Sequence, residues 1–139
     1  YPTIDSITLS KQLYLRENKI IPIEKSNIFN SIDESVNILC HFSNVKRDFL
    51  LLLEIYTEKK LIGIIPAMIE KGLPKDKYHR TYFCSLDTTN FIGLNDTVTV
   101  RLKLSNKIFE KITFRFNTLQ NYKPPKQYFT QFLNNKLHL

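Results

Sequence analysis

Apolar and polar side chains alternate with a period of two along much of this chain. In residues 36–42, Val36, Ile38, Cys40 and Phe42 fall on one side of an extended strand, with Asn37 and His41 on the other. Residues 97–104 alternate more regularly: Val98, Val100, Leu102 and Leu104 oppose Thr97, Thr99, Arg101 and Lys103. Ile112, Phe114 and Phe116 alternate with Thr113 and Arg115. Each pattern predicts a strand with one face in a core and the other in water. Residues 49–56 differ, because Leu50, Leu51, Leu52, Leu53 and Ile55 are apolar on both faces. That predicts a central or covered strand. Thr57-Glu58-Lys59-Lys60 reads as a turn and residues 61–65 as a further strand, ended or held at an edge by Pro66. Residues 66–71, with Gly72 after them, carry the Pro-first, Gly-last order of a single helical turn. Residues 72–76 read as a loop. Tyr82, Cys84 and Leu86 form a short strand face, and Ser105-Asn106-Lys107 a hairpin turn. Residues 7–9 and 20–23 are expected as edge strands and residues 26–34 as a loop.

The count is about seven to eight short strands with no strand–helix–strand rhythm, which predicts an all-β, two-sheet antiparallel sandwich over residues 1–118. A five-stranded barrel is the competing arrangement and needs fewer strands. Residues 119–139 change character. Residues 121–126 contain Pro124-Pro125 and are expected to be extended. In residues 127–139, Phe129, Phe132, Leu133 and Leu137 recur at helical spacing. A short C-terminal amphipathic helix is expected there, packed on the sandwich or docked to a partner or another domain.

Composition changes this picture only modestly. A chain of 139 residues fits one domain that buries enough surface to need no metal or set of disulfides. The formal net charge of +7 favours acidic partners, nucleic acid or anionic surfaces, but the basic residues are scattered rather than blocked. The longest apolar run, residues 49–53, is far short of the ~20 residues a membrane span needs. The chain begins at Tyr1 rather than Met, as expected of a processed or trimmed chain.

Recognisable chemistry is absent. His41 adjoins Cys40, but neighbours on a strand point to opposite faces and do not share an ion. His79 and His138 have no ligand spacing around them. There is no Gly-x-Ser-x-Gly turn, and with 3 Gly in the chain there is no phosphate-cradling loop, so no cofactor, metal or catalytic residue is expected. Glu54, inside the Leu-rich strand, is expected to face water or pair with a lysine on a neighbouring strand. Asn95-Asp96-Thr97 is one glycosylation acceptor pattern, relevant only on a eukaryotic secretory route.

Cys40 and Cys84 both point inward by parity. The triplet Tyr82-Phe83-Cys84, together with the strand rhythm, resembles the Tyr-x-Cys of immunoglobulin domains. The chain departs from that pattern: no Trp follows Cys40, the cysteines are closely spaced, and two good strands follow Cys84. Cys84 is therefore expected on a strand paired alongside that of Cys40, and a disulfide between them requires Cα atoms within about 7 Å.

The resemblance and the missing chemistry together imply a non-enzymatic, immunoglobulin-like module. It is expected to be secreted or surface-displayed and to bind a protein partner. The partner-binding candidates are two loops, Asn44-Val45-Lys46-Arg47 and residues 75–80, and within them Lys46, Arg47, Lys75, Lys77, Tyr78, His79 and Arg80. The alternative is an intracellular β-domain that binds single-stranded nucleic acid or an acidic partner through basic and aromatic residues. Lys111 and Arg115 beside Phe114 and Phe116, and Arg80 beside Tyr78, Tyr82 and Phe83, motivate it.

Overall fold

The computed structural model describes residues 1–119 except 59 and 106. The expected linker at 121–126 and helix at 127–139 lie outside the described residues. Among the described residues nine strands form: β1 Thr3–Arg16, β2 Lys19–Lys25, β3 Ile28–Asn30, β4 Ser35–Ser43, β5 Phe49–Thr57, β6 Lys60–Ile69, β7 Arg80–Asp87, β8 Asn95–Leu104 and β9 Lys107–Asn117. They make two sheets, of order β2-β1-β4-β7 and β3-β9-β8-β5-β6. The all-β, two-sheet expectation holds. All pairings are antiparallel except β3 on β9.

The alternating side chains close the space between the sheets. Val36, Ile38, Cys40 and Phe42 of β4 meet Leu51 and Leu53 of β5, Val98, Val100 and Leu102 of β8, and Phe114 and Phe116 of β9 in one core. Towards one end, Phe91 packs its ring against Phe114 (5.6 Å) and Phe116 (5.4 Å), and Phe29 against Phe114 (5.5 Å). Phe91 is carried there by a 3-10 turn, Thr88–Phe91, capped by Asp87, whose Oδ1 accepts from the Thr89 N–H at 3.0 Å. At the other end Phe42 meets Phe49 edge-on at 5.6 Å. Such offset rings add about 0.5–1.5 kcal/mol per pair beyond the area they bury.

Three local expectations are corrected. Residues 66–71 form no helical turn: β6 runs through Pro66 to Ile69, and Pro66 is tolerated because β6 is an edge strand. The 3-10 turn comes later, at Pro74–Asp76. Residues 26–34 are not all loop: Ile28–Asn30 form β3, parallel to Arg115, Phe116 and Asn117. Three residues are too few to show a period, so only the distant partner reveals this strand. Finally, β1 is 14 residues long, far beyond residues 7–9.

That length builds an arm. β1 pairs with β4 from Thr3 to Ser10, and with β2 from Ser10 to Arg16. The hairpin of residues 11–25 therefore stands clear of the sandwich. Glu17 and Asn18 close it with φ of 51° and 63°, the two-residue turn that matches strand twist. Its root is fixed by a Lys11–Asp33 ion pair at 3.3 Å and by the Ser26 N–H donating to the Leu9 carbonyl at 3.1 Å. Leu15 at its tip is 70 % exposed. Among the described residues, no helix is long and apolar enough to cross a membrane.

Candidate interaction site at one end of the sandwich

Residues 44–48, between β4 and β5, and residues 70–79, between β6 and β7, are the two loops that hold the predicted partner-binding residues except Arg80, which opens β7. The structure brings them together. Asn44 turns the chain off β4 in the left-handed region, φ 63°, which Asn tolerates better than most residues. The next residue, Val45, is buried and joins the loops: its N–H donates to the Tyr78 carbonyl (3.0 Å) and its carbonyl accepts from the Gly72 N–H (2.8 Å). Gly72 is required by this approach, because a Cβ there would lie 2.5 Å from the Tyr78 backbone. The Lys46 ammonium sits over the Tyr78 ring, 5.6 Å from its centre.

The longer loop folds on itself. The Leu73 carbonyl accepts from the N–H groups of Asp76 and Tyr78, both at 3.0 Å, and Lys77 and Tyr78 take positive φ to close the turn. Arg80 is a clamp rather than a free cation. Its Nε donates to the Glu70 carbonyl (3.0 Å), its terminal nitrogen donates to the Lys71 carbonyl (2.9 Å), and it pairs with the Glu70 carboxylate at 3.7 Å. His79 faces Asp5 at 3.7 Å, and Asp5 accepts from the Ser43 hydroxyl at 2.8 Å. Asp48 accepts from the Lys71 N–H at 2.8 Å. Lys46, Arg47, Lys75 and Lys77 are exposed and make no ion pair among the described residues.

An open depression of about 560 Å³ lies beside the shorter loop. Lys46, Arg47 and Asp48 edge it, and Tyr1, Pro2, Phe49, Leu104 and Ser105 line the rest. Asn44 lines it too, so sequence reasoning reached Asn44, Lys46 and Arg47 of the lining. The other residues come from the ends of β5 and β8 and from the start of β1, which the topology alone assembles.

The remaining singled-out residues fall elsewhere. Glu54 pairs with Lys103 of the neighbouring strand at 3.4 Å and accepts from the Tyr56 hydroxyl at 3.1 Å. His41 shares a hydrogen bond with Thr81 at 3.1 Å. Phe114 and Phe116 are buried core residues, so they offer no stacking platform to a base. Phe83 is half exposed, on the outer face of the other sheet. Among the described residues no group of three or more His, Cys, Asp or Glu converges on a metal-sized space.

Cys40 and Cys84 are both buried on paired strands, and no disulfide joins them. The register explains this. Cys40 lies opposite Tyr82, and Cys84 lies opposite Ile38, so the two cysteines are diagonal neighbours. Diagonal positions are typically about 7–8 Å apart, beyond ordinary bridging geometry. Burial, and secondarily the neighbouring Cys84, pushes the Cys40 thiol up to about 12. No protein-family model matches the chain, and no curated protein matches its sequence significantly.

Proposed function

We propose that this chain is a non-enzymatic, immunoglobulin-like interaction module that binds a protein partner through the loop end described above. The carrying observation is the convergence of two separate basic loops on one rigid end, beside an open depression. They are locked by main-chain bonds through Val45, yet Lys46, Arg47, Lys75 and Lys77 are exposed and make no ion pair among the described residues. Loops held by a scaffold are where recognition residues usually sit.

Strand order supports the immunoglobulin-like assignment. Taken as A, B and E, strands β1, β4 and β7 form one sheet. Strands β9, β8, β5 and β6 then correspond to G, F, C and C′, with β3 as an A′ segment running parallel to G. On this mapping the loop end is the one that carries the B–C and F–G connections, the binding end of variable-type domains. The cysteines differ from that pattern, since both lie in one sheet. Placement outside the cytoplasm, secreted or on a surface, follows from the same analogy.

The test is photo-crosslinking in the source cells, with a benzophenone amino acid at Arg47 or, as a control, at exposed Glu34, at the opposite end of β4. A protein adduct from position 47 and none from position 34 supports the reading. A nucleic-acid adduct, or equal labelling at both positions, overturns it. Compartment is tested separately by fractionation, which should recover the chain outside the cytoplasm.

A further inference from the structure

The outer face of the five-stranded sheet is divided into an apolar half and a cationic half. On β5 and β6, Leu50 pairs with Met68 and Leu52 with Pro66, and Ile64 stands opposite Glu54. Leu50, Ile64 and Met68 are 47 %, 41 % and 64 % exposed. Contiguous apolar surface of this kind marks interaction sites, whereas scattered single residues do not. Pro66 has no N–H to offer at this edge, which disfavours extension of the sheet by another strand. Any occupant is better accommodated lying on the face.

The adjoining strands carry cations outward. Arg101 and Lys111 stand directly opposite each other across β8 and β9. Like charges in that position repel. Lys103 and Arg115 extend the same rows, and Arg115 is held by its Nε donating to Asn117 Oδ1 at 3.1 Å. Arg101 lies over the Tyr56 ring at 4.4 Å, at the seam between the halves. Glu54 stands directly opposite Arg101, but its carboxylate pairs with Lys103, and exposed Glu110 sits at the β9 bulge beside Lys111, so cations remain in excess on these rows.

We infer that this face is a second docking surface, for an amphipathic segment of a partner protein whose apolar stripe is bordered by acidic residues. The stripe would cover Leu50, Leu52, Ile64 and Met68. The acidic border would reach Arg101 and Lys111 and relieve their mutual repulsion. This surface is a sheet face that starts beside the loop end, at Leu50 and Met68, and the inference does not rest on the loop reading.

The test uses the full chain and a fluorescein-labelled eighteen-residue peptide with Leu at helical spacing and Glu elsewhere, read by anisotropy. A peptide with Lys in place of Glu is the control. Saturable binding of the acidic peptide and none of the basic one is expected. Met68→Asp and Lys111→Glu should each weaken it by roughly fivefold or more, whereas Arg47→Glu at the loop end should leave it unchanged. All three side chains are exposed, and an unchanged urea midpoint checks that each variant folds. No saturable binding, equal binding of both peptides, or equal loss in all three variants overturns the inference. So does a chain that ignores the peptide but binds phosphatidylserine vesicles with the same variant sensitivity, which identifies a membrane surface instead. Because Arg47 reports only on the loop end, failure here and failure of the proposed function are distinguishable.

Discussion

Cys40 on β4 faces Tyr82 on β7 directly across the ladder, and the Tyr82 hydroxyl is buried with no oxygen or nitrogen partner. The neighbouring Cys84 thiol is a weak partner at best. Burial, then the nearby thiols, raises both the Cys40 and the Tyr82 ionisations. Both groups thus hold their protons more tightly in the fold than in the open chain. The stability Cys40 provides in this way is complete below the ordinary thiol value of 9.0 and is lost as pH rises from there toward about 12, whereas the Tyr82 share begins to be lost only above 10.0. Urea midpoints should fall steadily above pH 9, and Cys40→Ala should fall less steeply. A thiol reagent at pH 8 should label neither cysteine in the native protein and both in guanidinium. Rapid native labelling would contradict the burial.

Gly72 and Gly63 make a matched pair. Gly72→Ala forces a methyl against the Tyr78 backbone and should cost about 1–3 kcal/mol, as overpacking does. It should also free the Val45 amide to exchange faster. Gly63→Ala meets only the Ile55 side chain at 3.8 Å and should change stability by less than about 0.5 kcal/mol. Urea titration of both variants checks the contrast, and equal midpoints would show that the loop can yield.

Glu54 and Lys103 are mostly covered, with side chains 12 % and 23 % exposed. Glu54→Ala strips Lys103 of its carboxylate and the Tyr56 hydroxyl of its acceptor, and should cost about 1–2 kcal/mol. Replacing both ends, as Glu54→Leu with Lys103→Met, should be nearly neutral, because it removes the desolvation penalty together with the attraction. A double-mutant cycle in urea measures the coupling, and additive costs would refute it.

Much of the fold was legible because four strands alternate cleanly: β4, β8 and β9 on one face each, and β5 with apolar residues on both. The expectation that Cys84 sits alongside the strand of Cys40 rested on parity and spacing, and the β4–β7 ladder has that pairing. Features set by distant partners were hidden. β3 exists through β9, and the depression exists because strand ends far apart in sequence meet. Pro66 misled because proline is ambiguous between the start of a turn and an edge strand. The basic loops could be read as exposed, but nothing local showed that Val45 would join them or that Arg80 would be consumed as a clamp.

The arm should open independently of the sandwich, since a lone two-stranded hairpin is marginal by itself. By hydrogen exchange, amides of residues 13–23 should exchange within about minutes at pH 7, and those of β4 and β5 on the order of hours or longer. Asn18→Gly, which suits the left-handed turn position, should leave both rates nearly unchanged. Protection of the arm equal to that of β4 would mean that it is not free-standing.

The parallel β3–β9 pair also constrains the order in which the protein can be completed as it is made. The Leu119 N–H closes this seam on the Ser31 hydroxyl at 2.8 Å, across a separation of 88 residues. At about 5–20 residues per second, β3 leaves the ribosome roughly 4–18 s before its partner strand exists. For that interval Phe29, fully enclosed in the finished molecule, has no rings to lie against. A nascent chain halted before β9 therefore lacks the ring and the strand that enclose Phe29, so β9 is the strand that completes this seam.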